Sequence, residues 1–145
     1  MYKVVIADDR PHARQGLRLL LSCSADYVII GEACDGTQAI ERTAALKPDL
    51  LLTDLKMPGL SIIEGAPGLK ASLPHLKMVV LTAFDASEDI YRAIHSGIDG
   101  YLMKDTDPGC ILQVLDDVMN GATYYQSKDN EDVSIAKVRG ESLEI

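Results

Sequence analysis

Apolar and polar positions fall into blocks along this chain. Short aliphatic runs alternate five times with longer stretches of helical spacing. Val4–Ala7 is a short strand of the buried type, and Tyr27–Ala33 a second. Between them Pro11 suits a first helical turn, and Ala13, Leu17, Leu20 and Leu21 follow at helical intervals. Asp35-Gly36 turns into a helix over Thr37–Leu46, where Ala39, Ile40, Thr43 and Leu46 share a face and Lys47-Pro48 stops it. Asp49–Asp54 is the third strand, and its unbroken apolar run implies burial on both faces. Met78–Thr82 is the fourth. Glu88–Ser96 is helical, with Ile90, Ala93 and Ile94 inward and Gly97 at its end. Gly100–Met103 is the fifth strand. Asp107 caps the last helix, Pro108 opens it, and Ile111, Leu112, Leu115, Val118 and Met119 repeat up to Gly121.

Five strand–helix units on this pattern predict an α/β fold: a doubly wound, five-stranded parallel sheet with helices on both faces. The flavodoxin-like strand order 2-1-3-4-5 places its switch point, where ligands sit in such folds, between the first and third strands. One segment fits poorly. Ser61 and Glu64 resemble a capping box, but Gly65, Pro67 and Gly68 fall where a third helix should have its interior. A late, short or broken helix is expected there, or an irregular loop over Leu60–Ala66 before a helix starting near Pro67. After Thr123 the apolar pattern fades and no strand partner is foreseen. The chain therefore divides into a domain over 1–122 and a tail or linker over 123–145, too short for a helix-turn-helix unit.

Composition narrows the function. The 145 residues are 47% hydrophobic, enough for a core. A net charge of -8 disfavours direct binding to nucleic acid, which needs clustered Lys and Arg, and suits a cation site. No apolar run approaches a membrane span, and Met1-Tyr2-Lys3-Val4 enters a strand with no signal-peptide pattern, so a cytoplasmic location is expected. Cys23, Cys34 and Cys110 are scattered and odd in number, as buried or half-buried thiols in a reducing compartment would be. His12, His75 and His95 lack ligand spacing, and no nucleophile elbow is present.

The strand ends carry the chemistry. Strand one ends in Asp8-Asp9, strand three in Asp54, strand four in Thr82 and strand five in Lys104. In a parallel sheet all of them reach one edge. Adjacent carboxylates repel unless a cation compensates. Three hard oxygen donors suit Mg²⁺, which also binds phosphate, and the Lys56 backbone carbonyl is a natural further ligand. A carboxylate such as Asp54 can attack phosphorus to give an aspartyl phosphate. Lys104 as a point charge, the Thr82 hydroxyl and the Ala83 N–H would then meet the phosphoryl oxygens.

In this arrangement the chain resembles the receiver domain of two-component response regulators, from Lys3 to about Gly121. The resemblance rests on Asp8-Asp9, on Asp54 followed by Met57-Pro58-Gly59, on Thr82-Ala83 and on Gly100-Tyr101-Leu102-Met103-Lys104-Asp105. It implies that Asp54 is the phosphoacceptor, that Asp8 and Asp9 bind Mg²⁺, that Thr82 and Tyr101 are the switch residues and that Lys104 contacts the phosphoryl group. The donor would be a phosphohistidine on a sensor histidine kinase, or a small acyl phosphate. Val80–Phe84 and Gly100–Asp105 look most like receivers of the NarL/LuxR (FixJ-type) subfamily, which precede a DNA-binding output domain. Lys56 and Phe84 match positions that flank the hydrolytic water's route, and a bulky Phe84 implies slow self-dephosphorylation.

The resemblance also implies a switched surface from about Ser87 to Asn120, the fourth helix, fifth strand and fifth helix, that binds a partner or a second copy. Such a domain catalyses only its own phosphoryl transfer and is not an enzyme with an independent substrate. Three rivals remain. A nucleotide binder would want a Gly-rich loop where Asp8-Asp9-Arg10-Pro11 stands. An aspartyl-phosphate hydrolase would want a second carboxylate where Asp54-Leu55-Lys56 has none. A stand-alone or degenerate receiver acting as an interaction module is kept open by Pro67.

Overall fold

A computed structural model describes residues 1–83, 87–126 and 132–133, with 87–88 and 132–133 described by backbone alone. Strand β1 (Tyr2–Ala7) lies between β2 (Tyr27–Ala33) and β3 (Leu50–Thr53). Strands β4 (Lys77–Thr82) and β5 (Gly100–Met103) continue outward from β3, and all five are parallel. The order 2-1-3-4-5 is the one expected from the pattern. Leu50, Leu51 and Leu52 have no exposure, as an apolar central strand requires. Helices α1 (Pro11–Ser22) and α5 (Pro108–Met119) cover one face through Leu17, Leu21, Ile111 and Leu115. Helices α2 (Gly36–Leu46), α3 (Ile62–Ser72) and α4 (Ser87–His95) cover the other through Ala39, Ile62, Leu69 and Ala93. Among the described residues no helix is long and apolar enough to cross a membrane.

Two further strands correct the expectation for the tail. The chain pairs again after α5: β6 (Tyr124–Gln126) runs parallel to β5, and β7 (Asp132–Val133) antiparallel to β6. Without them β5 would present unpaired backbone groups at a sheet edge. Tyr125 supplies the apolar contact: it is 2% exposed, and its hydroxyl donates to the Ile98 carbonyl at 2.7 Å. Three residues are too few for an alternating pattern to stand out.

Helix α3 is neither broken nor replaced by a loop. It is continuous over Ile62–Ser72 with Pro67 inside it, and the Ser61 side chain accepts from the Glu64 N–H at 3.3 Å, as the capping-box spacing suggests. Ile62, Ile63, Ala66 and Leu69 are buried along one face, while Pro67 and Gly68 are exposed. Pro67 removes the hydrogen bond that residue 67 would give to the Ile63 carbonyl, but burial of the opposite face outweighs that loss. Replacing Pro67 with Ala should restore the bond and stabilise the protein by about 1–2 kcal/mol, less than the full proline penalty because the unfolded chain also gains freedom. Urea denaturation checks this: the midpoint should rise with an unchanged slope.

At the start of α2, the Asp35 side chain accepts from the Gln38 N–H at 2.7 Å. A Cβ on Gly36 would lie 1.8 Å from the Leu60 carbonyl oxygen, so only glycine lets the loop after β3 pack against this helix start. Leu46, at the far end of the expected stripe, stays 43% exposed. The thiols also differ from expectation. Cys23, Cys34 and Cys110 are all exposed, because each sits at the end of an element rather than on its packed face.

Candidate functional site

Register places the first two carboxylates. Ala7 of β1 pairs with Thr53 of β3, so the residues that follow, Asp8 and Asp54, leave the sheet side by side. The Asp54 N–H donates to the Ala7 carbonyl at 2.9 Å and holds the two strand ends together. Asp8 is fully buried, Asp54 is 5% exposed and Asp9 is exposed. One carboxylate oxygen from each of the three lies within 4.8 Å of the others. The donor set consists of hard oxygens, converging and largely dehydrated, and it fits a small divalent cation.

Strands β4 and β5 deliver the other side of the site. Thr82 pairs with Met103, and the next residue, Lys104, donates its backbone N–H to the Thr82 carbonyl at 2.8 Å. The Lys104 ammonium donates to Asp8 Oδ2 at 2.5 Å and lies 3.5 Å from Asp54 Oδ2. One ammonium thus serves two buried carboxylates. Asp54 Oδ1 accepts the Leu55 N–H at 2.8 Å, which leaves Oδ2 as the oxygen facing Lys104. Burial pushes the Asp54 carboxyl above its ordinary range, with the Asp8 charge adding to the rise, while Lys104 and the Leu55 N–H oppose it. Thr82 and Tyr101 are fully buried, and Ala83 is exposed at the rim beyond β4. The edge therefore combines an acidic group able to hold a cation, a carboxylate with one oxygen turned to a lysine, and an ammonium on a flexible stem.

The structure brings Asp8, Asp9, Asp54 and Lys104 together around one point, with Thr82 on the adjacent strand end. The Lys56 ammonium pairs with Asp89 Oδ2 on α4 at 3.1 Å. Phe84 lies outside the described residues. Sequence reasoning missed several supports. Asp89 is 6% exposed and also faces Arg92 at 3.8 Å, tying α4 to the loop after Asp54. Arg14 donates to the Asp8 carbonyl at 2.9 Å and lies 3.5 Å from Glu32, fixing the start of α1 under the site. The Arg14–Arg18 spacing of one helical turn, opposite a strand-end glutamate, was a legible signal for the second of these. Nothing local marks Asp89 as the partner of Lys56.

Known proteins agree with this geometry. The model of the response regulator receiver domain matches residues 4–116. The uncharacterized transcriptional regulatory protein YxjL of Bacillus subtilis (strain 168) is 35% identical over 141 residues, covering 97% of this chain and 62% of its own length. The nitrate/nitrite response regulator protein NarP of Escherichia coli (strain K12) is 34% identical over 130 residues, covering 90% of this chain and 60% of its own. The chain thus spans about three fifths of the curated relatives it matches. The signal receiver domain of the putative response regulator NarL from Mycobacterium tuberculosis superposes with a TM-score of 0.78 at 32% identity, over 83% of this chain and 97% of that one. Sequence, fold and relatives converge, and the chain belongs to the response regulator receiver domains of two-component systems, among relatives of the NarL and NarP type.

Proposed function

We propose that Asp54 accepts a phosphoryl group and that its modification switches a protein-interaction surface. The observation that carries this reading is the convergence of Asp8, Asp9 and Asp54 beside Lys104 at one sheet edge. Asp8, Asp9, Asp54 and the Lys56 carbonyl would hold Mg²⁺, which when bound offsets the clustered carboxylate charge and that of the phosphoryl oxygens. Asp54 Oδ2 attacks phosphorus in line; the new O–P bond forms as the P–N bond to the donor imidazole breaks. Lys104 moves its ammonium from Asp8 toward a phosphoryl oxygen, and the Thr82 hydroxyl and the Ala83 N–H donate to the others. Burial of Asp54 strengthens each of these contacts.

A sensor histidine kinase is the natural donor, since response regulator receivers are phosphorylated by such kinases, and a small acyl phosphate is the simple substitute. The family membership supports a signalling role rather than turnover of an independent substrate. Tyr101 follows Thr82 when the site is loaded, and the α4–β5–α5 surface changes shape to bind a partner or a second copy. The curated relatives run well past the region they share with this chain, and the name of one of them, a transcriptional regulatory protein, supports a DNA-binding output domain as the target of the switch. A cytoplasmic location follows from the same reading. Lys56 and Phe84 tune the lifetime of the phosphoryl group. In a degenerate receiver the acidic group would be superfluous.

Incubation with acetyl phosphate tests the proposal directly. Intact-protein mass spectrometry should show the gain of one phosphoryl group with Mg²⁺ present and almost none with EDTA. A protein that gains nothing under either condition is not a phosphoacceptor.

A further inference from the structure

Strand β6 touches the switch machinery at two points. Tyr125 pairs in register with Tyr101, and both rings belong to the same core cluster on the α4 face. Tyr101 is fully buried, with Tyr125 closing the sheet edge beside it. The Tyr124 N–H donates to the Asp99 carbonyl at 3.1 Å, and the Tyr125 hydroxyl to Ile98. The second point is Gln126. Its side-chain oxygen accepts from the Met103 N–H at 2.8 Å and from the Thr106 hydroxyl at 3.1 Å. These donors bracket Lys104, whose ammonium holds Asp8 and Asp54 and whose N–H is bound to the Thr82 carbonyl. The turn 103–106 is therefore clamped from outside by one side chain.

We propose that residues 124–126 form a strap that holds Lys104 and Tyr101 in the arrangement that receives the phosphoryl group. Occupancy of the Asp54 site and pairing of the strap then stabilise each other. The inference rests on Asp54 being the phosphoacceptor, and it adds a route by which the site reaches the chain beyond α5. The physical basis is mutual restraint. A shift of the 103–106 turn backbone or an outward swing of Tyr101 disturbs the Gln126 bonds or the Tyr125 packing, whereas the Lys104 ammonium can turn toward a phosphoryl oxygen with the turn still clamped. Any ligand that favours the inward, clamped state must tighten the strap, and by linkage the strap must tighten that ligand by the same factor.

Hydrogen exchange of the full chain in Mg²⁺, with and without beryllofluoride as a phosphoryl mimic, tests this. Beryllofluoride should slow exchange in the loops after β1 and β3 and also slow it about fivefold or more over 124–126. Gln126→Ala and Tyr125→Phe should each weaken beryllofluoride binding about fivefold. Protection of the two loops with no change over 124–126 would overturn the strap and leave the phosphoacceptor reading intact. So would variants that melt earlier yet bind beryllofluoride as the parent does, since that marks Gln126 and Tyr125 as packing alone. Absence of protection anywhere would remove both proposals together.

Discussion

The Lys104→Ala protein should melt about 10 °C below the parent in EDTA, and Mg²⁺ should recover most of that loss. Lys104 is the ammonium shared by Asp8, which has no exposure, and Asp54, which is 5% exposed. Removing one partner of a buried pair leaves uncompensated charge and costs about 3 kcal/mol at the lower end of such cases. The lower end applies because the Lys104 side chain is 20% exposed and the site opens on water. For a domain of this size that loss corresponds to about 10 °C. A divalent ion at the three carboxylates supplies the missing positive charge, and at a hundredfold excess over its Kd it returns about 2.7 kcal/mol. Differential scanning calorimetry with EDTA and with Mg²⁺ decides the matter. Parent-like melting of the variant in EDTA, or a loss that Mg²⁺ leaves untouched, contradicts the site. Phosphoryl transfer from acetyl phosphate should fall about a hundredfold in the same variant, as for removal of one preorganised charge from a transition state.

Asp54→Asn is expected to abolish the mass gain altogether and yet to stabilise the fold at neutral pH. The amide has no nucleophilic oxygen, so no aspartyl phosphate forms. The stability effect follows from the direction of the Asp54 shift. Burial, with help from Asp8, raises its folded carboxyl above the ordinary value of 3.8. A raised acid binds more protons folded than unfolded between the two pKa values, so stability falls as pH climbs through that window. Above the window the folded parent carries an ionised, buried Asp54 at a penalty; below 3.8 the penalty is absent. The variant should therefore melt later than the parent at pH 7 without metal, and its advantage should shrink as the solution is acidified toward pH 4. Thermal melts across that range in EDTA check the sign. An advantage that grows on acidification would mean that Asp54 is stabilised as the anion, and a retained mass gain would place the acceptor elsewhere.

Burial alone shows how far local pattern reaches. The aliphatic runs at Val4–Ala7 and Leu50–Leu52 have no choice but the middle of a sheet, and the carboxylates that end them have no choice but its rim. Parallel strands at right-handed crossovers then bring Asp8, Asp54, Thr82 and Lys104 to a common edge, because Thr82 ends its strand and the other three each follow theirs by one residue. That much was legible one residue at a time. The third helix was not, since a propensity argument weighs Pro67 and Gly68 but cannot see that both face water while Ile62, Ile63, Ala66 and Leu69 fill the core.

Residue order along the chain determined the strand order, the identity of the acidic group and the lysine that answers it, because those depend on spacing and on polarity at strand ends. Only packing in three dimensions decided the rest. It paired the Lys56 ammonium with Asp89, put three cysteines in solvent, and turned Tyr124–Gln126 into a strand. The first and the last depend on a partner far away in the chain: an α4 carboxylate and the β5 edge. No window of sequence contains both halves of such a contact, so its energy becomes visible only when the sheet is assembled.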